Sequence, residues 1–258
     1  MVSLVTAAVA LASALLSVVL SSRAAKATAR FQHELELRRR RASKEELVQE
    51  LMARYREPLV RAAFDLQSRI FNIVRQGFLV KYCADGTEGE REYAVRNTVF
   101  VLAEYLGWVE ILRREVQFLD LGDVERNRRL VEWLEAVSDI LSTDRRITDP
   151  GFRLFRGQQR ALGELMIEPI EWTRAGAKDE PARGRCMGYA AFVAKLETEP
   201  SFARWFDKLE ADVERLAADP ASAGERLIPL QQALIDLIDF LDDPPARFPV
   251  AQRTKLPG

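Results

Sequence analysis

The residues best placed to do chemistry in this sequence are carboxylates and arginines within apolar segments. Glu104 is the sole charged residue in the stretch VFVLAEYLGWV. A carboxylate buried among such side chains costs free energy unless it is protonated or paired with a cation. We expect an arginine from another helix, such as Arg69, to pair with Glu104, because a structural partner is more common at such a position than a catalytic role.

A second set of charges lies in the predicted helix YREPLVRAAFDLQSRIFNIV. Arg61, Asp65 and Arg69 recur at intervals of four residues, so their side chains align on one face of that helix. Such a ladder is typical of a solvent-exposed face. Trp108 follows Glu104 by one helical turn, at an apolar position typical of a core anchor. The candidate buried polar or ligand-contacting residues are therefore Glu104, Arg61, Asp65, Arg69 and Trp108.

Other charged residues indicate ordinary helix-surface chemistry. Glu110 precedes Arg113 and Arg114 by three and four residues, which is the spacing of ion pairs on a helix surface. The acids of LIDLIDFLDD crowd the end of a predicted helix without the ligand spacing of a calcium-binding loop, which disfavours a cation site. These acids are Asp236, Asp239, Asp242 and Asp243.

Several kinds of active site lack their parts in this chain. His33 is the sole histidine, and Cys83 and Cys186 lie far apart in the sequence. A serine or cysteine nucleophile with a histidine base, a di-iron site and a structural zinc site are all disfavoured. No glycine-rich phosphate-binding motif occurs. We therefore predict no catalytic residue, no cofactor and no metal.

Helical periodicity, punctuated by Pro, Gly and Asp, predicts an all-α fold. SKEE at residues 43–46 and the pair Thr87 and Glu90 are capping signatures that open helices. The helix at about residues 93–119 is apolar almost all round, but its stretch TVFVLAEYLGWVEIL is too short and too charged to cross a bilayer. We predict that it is the central helix of a bundle, and we expect no strand.

The N-terminal segment has the character of a membrane anchor. Residues 2–22 contain no charge and no proline, and about 20 helical residues match a hydrocarbon layer of about 30 Å. A cleaved signal peptide would carry basic residues before its apolar core, whereas here the basic residues follow it. The positive-inside rule then predicts a single-pass plasma-membrane protein with its N-terminus outside and its C-terminal domain in the cytoplasm.

A basic stalk follows the predicted anchor. Two interpretations stay open, one in which it contacts anionic lipid headgroups and one in which it is a solvated helix. Small residues recur at four-residue intervals in the anchor. This spacing lets two helices approach closely in lipid, which allows a homodimer. The candidate anionic-lipid contacts are Arg23, Lys26, Arg30, Arg38, Arg39, Arg40 and Arg41.

The length and net charge of the chain limit what the part beyond the stalk can be. The chain has 258 residues and a net charge of −1, so the part beyond the basic stalk is mildly acidic. An acidic domain argues against a nucleic-acid partner. The predicted organisation is a transmembrane anchor over residues 1–22, a stalk over 23–44, a helical bundle domain over 45–243 and a flexible tail over 244–258.

Three stretches carry a resemblance, namely YREPLVRAAFDLQSRIFNIV, YLGWVEILRREVQFLDLG and RLIPLQQALIDLIDFLDD. Together they resemble a group of hypothetical bacterial proteins that have a short N-terminal anchor. The resemblance implies one integrated helical domain after Tyr55. It supplies no catalytic residue.

These observations favour a non-enzymatic function. We expect a scaffold or regulatory module that presents a helical surface to a protein partner at the inner leaflet. The first alternative is a sensor that binds a lipid or small hydrophobic ligand within the bundle, with Glu104 and an arginine as polar contacts. The second alternative is an enzyme that uses only carboxylates and arginines.

Overall fold

The computed structural model describes residues 31–40, 42–43, 55–116, 124–144, 150–169, 184–242 and 248–257. The chain divides into two compact units, Met1–Leu51 and Met52–Gly258. In the first unit, residues 31–40 and 42–43 are helical and exposed. The predicted anchor, and the SKEE capping box beyond Ser43, lie outside the described residues. Among the helices that are described, none combines the length and the apolar character needed to span a membrane.

The second unit is built mainly from helices, which confirms the all-α class. Helix α1 covers residues 55–76, and a single π-helical turn follows it at Val80–Ala84. The remaining α-helices are α2 (Glu88–Val116), α3 (Val124–Ser142), α4 (Arg156–Leu165), α5 (Tyr189–Thr198), α6 (Pro200–Ala203), α7 (Asp207–Ala218) and α8 (Gly224–Leu241). Short 3₁₀ helices lie at Pro220–Ala223 and Val250–Gln252.

Two short strands depart from the expectation of helices alone. Strand β1 (Ile167–Pro169) pairs in antiparallel fashion with β2 (Gly184–Cys186), and Ile167 stands opposite Cys186. Strands of three residues are too short for the alternation of apolar and polar residues that reveals a strand in sequence. The strand β2 nevertheless matters, because it brings Cys186 against α2.

Helix α2 is the centre of the bundle, as its apolar sequence predicts. It opens with the expected capping box, in which the Thr87 N–H donates to Glu90 Oε2 at 2.8 Å and the Glu90 N–H donates to Thr87 Oγ1 at 3.4 Å. The helix then packs against α4, α5, α7 and β2. Ala94 and Ala103 are completely buried in these contacts.

Helix α3 packs on α8 instead of lying along α2. Arg226 of α8 is buried and donates to the carbonyls of Leu141 at 3.1 Å, Thr143 at 3.0 Å and Gly151 at 2.9 Å. The last carbonyls of a helix have no partner within the helix, so these bonds satisfy them and fasten the end of α3 to α8. Consecutive helices α2 and α3 are thereby held by different partners.

Residues 248–257 lie within the stretch predicted as a flexible tail, and the structure gives them specific contacts. Leu256 is buried, and its N–H donates to Gln231 Oε1 at 3.0 Å. The buried Arg253 donates to Asp239 Oδ1 at 3.0 Å and also binds Asp242. This segment therefore covers one side of α8.

Candidate functional site

Glu104 lies half-buried on α2 beside α1. Its pKa is raised to about 7, first because burial disfavours the charged form and second because the Asp65 carboxylate is near, while the Arg61 guanidinium opposes both effects. Among the described residues, none donates a hydrogen bond to the Glu104 carboxylate. Glu104 therefore changes its protonation state near neutral pH, as a buried and unpaired acid does.

Asp65 and Arg61 are the α1 residues that the structure brings near Glu104. Burial raises the pKa of Asp65 and the charge of Arg61 lowers it, with burial the larger effect. The Arg61 guanidinium carbon lies 5.9 Å from the ring centroid of Phe248. The sequence named all three members of this cluster, Glu104, Asp65 and Arg61, as candidates, and Asp65 and Arg61 lie exposed on α1, as expected for a solvated face.

Arg69 does not join that cluster, so its predicted pairing with Glu104 is wrong. It donates instead to Asn97 Oδ1 of α2, and its guanidinium carbon lies 4.0 Å from the ring centroid of Phe78. Helices α1 and α2 run antiparallel, so Arg69 is level with a residue earlier in α2 than Glu104. Within the described residues, the Arg61–Asp65–Arg69 ladder forms no ion pair.

Cys186 completes the surroundings of Glu104 from the strand β2. Its Sγ lies 3.7 Å from the Glu104 carbonyl oxygen, and burial, followed by the Glu104 charge, raises the pKa of the thiol to about 12. A thiol with such a pKa is a poor nucleophile at neutral pH. A Cβ at Gly107 would lie 2.7 Å from this sulfur, so the strand approaches α2 where a glycine allows it.

The remaining candidates add no metal or catalytic arrangement. Trp108 is half-buried, one turn beyond Glu104. Over the described parts of the chain, His, Cys, Asp and Glu side chains form no group of three or more that could hold a metal ion. Asp236 pairs with Lys255 at 2.6 Å, and Asp239 and Asp242 pair with Arg253, so these acids of α8 bind the C-terminal segment.

The basic stalk is described only in part. Arg38, Arg39 and Arg40 lie on its exposed helical residues, and Arg40 pairs with Glu36 at 2.6 Å. The other candidate lipid contacts, Arg23, Lys26, Arg30 and Arg41, lie outside the described residues. Their contact with lipid stays a prediction.

Glu110 is a buried site that the sequence did not reveal. Its side chain is 3 % exposed, and it accepts hydrogen bonds from Arg113 Nε at 2.7 Å and Arg114 Nε at 2.8 Å. Burial by itself would raise the pKa of Glu110, but the two arginines outweigh that effect and hold it below its ordinary value. The prediction of an exposed ion pair at this position was therefore wrong.

The close approach of α4 explains this burial. A Cβ at Gly163 would lie 2.6 Å from the Leu106 carbonyl oxygen and 2.9 Å from the Glu110 Cβ. Only a residue without a side chain lets α4 cover α2 at this distance. The three- and four-residue spacing to the arginines is the same for an exposed and a covered glutamate, so spacing alone could not show the difference.

Glu110 forms part of a groove of about 610 Å³ that lies between α2, α3 and α4. Apolar side chains of α2 and α3 supply most of its surface, and arginines, glutamates and amides stand among them. We call this the α2–α3 groove. Its residues are Leu106, Val109, Glu110, Leu112, Arg113, Asn127, Leu130, Val131, Leu134, Glu135, Ser138, Arg156, Gln159 and Arg160.

Hydrogen bonds between α3 and α4 hold one end of the α2–α3 groove in shape. The Gln159 amide donates to the Ser138 carbonyl at 3.0 Å and accepts from the Ser138 hydroxyl at 2.8 Å. Arg156 pairs with Glu135 and with Asp139, each at 2.5 Å. The bonds of the buried Gln159 contribute most to this attachment, because the Arg156 ion pairs are exposed to solvent.

A signal for this groove is present in α3, although it is weak. At 100° per residue, Leu130 and Leu134 point to one side of the helix, while Val131 lies 100° away from Leu130. The apolar surface of α3 is therefore wider than the side of the helix that packs against the core. In the structure Leu130 is buried and Val131 is 53 % exposed.

Comparison with protein-family models, with curated proteins and with solved structures gives no match for this chain. The function must therefore be inferred from the arrangement of the residues themselves.

Proposed function

We propose that this protein acts without catalysis, as a helical interaction module whose α2–α3 groove receives a protein partner. The observation that carries the proposal is the groove itself, which is apolar, open to solvent and held by bonds between its walls. An exposed apolar surface rimmed by polar groups is typical of an interaction site. Scaffolds and regulators bind their partners through surfaces of this kind.

The position of the groove in the bundle supports this interpretation. Helix α2 packs mainly on α4 and α3 packs mainly on α8, so the sides of α2 and α3 that line the groove are not packed closely against each other. Val131 keeps 53 % of its surface exposed there, although Leu130, Val137 and Leu141 of the same helix are buried. A partner that covered Val131 would gain free energy from removing this apolar surface from water.

Site-specific photo-cross-linking in cells tests the proposal. A photoreactive phenylalanine analogue replaces Val131, which is exposed in the groove and has few packing contacts to lose. We expect one dominant cross-linked product, with the adduct on a peptide of another protein. The same analogue at Tyr93, which is 49 % exposed and lies in the first turns of α2, is the matched control.

Two results would count against the groove as a protein-binding surface. The first is an equal pattern of products from Val131 and Tyr93, which would show only random collisions. The second is a product at Val131 whose mass corresponds to a lipid or a metabolite. That second result would indicate that the groove binds a small molecule instead of a protein.

We also propose that the module is held at the inner leaflet by its N-terminal segment. The support is the uncharged stretch at residues 2–22 followed by basic residues, which favours an anchor with the helical domain in the cytoplasm. Protease digestion of intact and lysed spheroplasts tests this arrangement. We expect the second unit to be cut only after lysis, and cleavage in intact spheroplasts would overturn the orientation.

A sensor of a lipid or small hydrophobic ligand is the second candidate, and Glu104 favours it. This half-buried carboxyl, with a pKa of about 7 and Asp65 and Arg61 near it, is a polar group that a ligand hydroxyl or amide could satisfy. Native mass spectrometry of the purified full chain tests the candidate. We expect a bound small molecule that is lost in Glu104→Ala, and a preparation free of small molecules in both forms would reject it.

A further inference from the structure

Arg160 is distinguished among the three arginines of the α2–α3 groove by its lack of a partner. Arg113 is bound to Glu110, and Arg156 is bound to Glu135 and Asp139. Arg160 follows Arg156 by one turn of α4 and is exposed. Within the described part of the chain it makes no hydrogen bond and no ion pair. It is therefore a positive charge at the groove that is available to a ligand.

The length of the groove indicates the shape of its occupant. The α3 residues that line it run from Asn127 to Ser138, with spacings of three and four residues between neighbouring turns. At 1.5 Å per residue this side is about 17 Å long, which is about three helical turns. A wall made of successive turns of one helix face complements the ridges of another helix laid beside it.

The composition of the groove points the same way. Apolar side chains of α2 and α3 supply most of its surface, and charged and polar side chains stand among them. An amphipathic helix lies in a groove of this kind with its apolar face inward and its polar face in water.

We propose that the groove selects an amphipathic helix of about three turns that carries an acidic residue against Arg160. This inference rests on the proposed function and names its partner class. The apolar residues of the partner stand at spacings of three and four residues and cover Val131 and Leu134. An aspartate or glutamate beside that apolar stripe pairs with Arg160, whereas a lysine or arginine there is repelled.

Selection from a library of helical peptides tests this inference. The probe is a displayed library of 14-residue peptides with fixed helix-favouring positions and random groove-facing and flanking positions, selected on the full-length chain. We expect enriched peptides to carry an apolar stripe and a flanking acid, and to bind Arg160→Glu about three to five times more weakly at low salt. A parallel selection on Arg160→Glu should enrich a flanking lysine or arginine.

The matched control is Arg204→Glu, which makes the same charge change on another exposed arginine, one that does not line the groove. Enriched helices with no preference in flanking charge, or an equal effect of the two variants, would overturn the role of Arg160. Enriched peptides without a helical apolar stripe would overturn the helix as partner class. Either failure is distinct from failure of the proposed function, which is read from cross-linking at Val131.

Discussion

Two glutamates on the same helix, Glu104 and Glu110, have opposite environments. Glu110 is almost completely buried and has a lowered pKa, because Arg113 and Arg114 bind it. Glu104 is less buried and has a raised pKa of about 7, because burial disfavours its charged form, the Asp65 carboxylate adds to that effect, and no described residue hydrogen-bonds to its carboxylate. Burial disfavours the charged form of both acids, and the cations that bind Glu110 outweigh this effect, whereas the groups near Glu104 do not.

This difference has a consequence for function. The bonds from Arg113 and Arg114 keep Glu110 charged where α4 covers α2, so that acid has a structural role. Glu104 holds a proton or loses it within the ordinary pH range, so that acid contributes sensitivity to its surroundings. Experiments on both acids therefore separate a structural carboxylate from a responsive one.

The largest expected effect comes from removing both cations that bind Glu110. In Arg113→Gln/Arg114→Gln, Glu110 remains buried as an unpaired charge, and we expect the free energy of unfolding to fall by about 3 kcal/mol. The melting temperature should then fall by roughly 6–12 °C. Differential scanning calorimetry of the full chain measures this change.

The control for that variant is Arg128→Gln, which removes an arginine paired with Glu125 and Glu132 on the exposed face of α3. An exposed pair contributes less than about 1 kcal/mol, so its loss should be hardly visible. Equal losses in the two variants would show that Glu110 does not depend on its arginines as the structure indicates.

A smaller and pH-dependent effect is expected from Glu104→Gln. The folded-state pKa of about 7 exceeds the ordinary value of 4.5, so the folded protein binds this proton more tightly than the unfolded chain does. The stabilisation is fully present below about pH 4.5 and is lost as the pH rises through about 7. Glutamine imitates the protonated form and keeps the stabilisation.

At pH 8 we therefore expect Glu104→Gln to raise the free energy of unfolding by about 1–2 kcal/mol, after allowance for screening by solvent. At pH 4.5 the variant should match the parent chain. Glu110→Gln should lower stability at pH 8, since its acid is stabilised in the charged form. A gain from Glu104→Gln that is independent of pH would contradict the assigned pKa.

The smallest expected effects concern the neighbours of Glu104. Asp65→Asn removes a like charge and should lower the pKa of Glu104 toward its ordinary value, whereas Arg61→Gln should raise it further. Carbon-detected NMR titration of the Glu104 carboxyl group measures both shifts. Shifts of the same sign in the two variants would show that the charges of α1 do not act on Glu104.

The sequence predicts the helices well because their signals are local. Periodic apolar residues and the pair Thr87 and Glu90 act within one or two turns, so the all-α class and the capping box of α2 follow directly, although α2 begins at Glu88 and not at about residue 93. The sequence predicts the environments of the two acids poorly, because these depend on what other elements do. Nothing near Glu110 in the chain shows that Gly163 lets α4 cover it, or that Arg69 is level with Asn97.

The groove is likewise a property of packing between distant parts of the chain. The position of Val131 outside the core-facing side of α3 indicates a second apolar surface on that helix. The groove itself forms because α3 packs on α8 while α2 packs on α4, which separates the two helices that line it. The short strands escaped prediction for a similar reason, since Cys186 reaches α2 through pairing with Ile167.

The most direct test of the proposed function is Val131→Asp, measured for stability and for partner binding together. Because Val131 is exposed, we expect the melting temperature of the Val131→Asp protein to stay within a few degrees of that of the parent chain. The cross-linked partner should no longer co-purify, while Ala194→Asp, which adds the same charge on the exposed face of α5, should retain it. A folded Val131→Asp protein that binds its partner as tightly as the parent would contradict the groove as the binding surface.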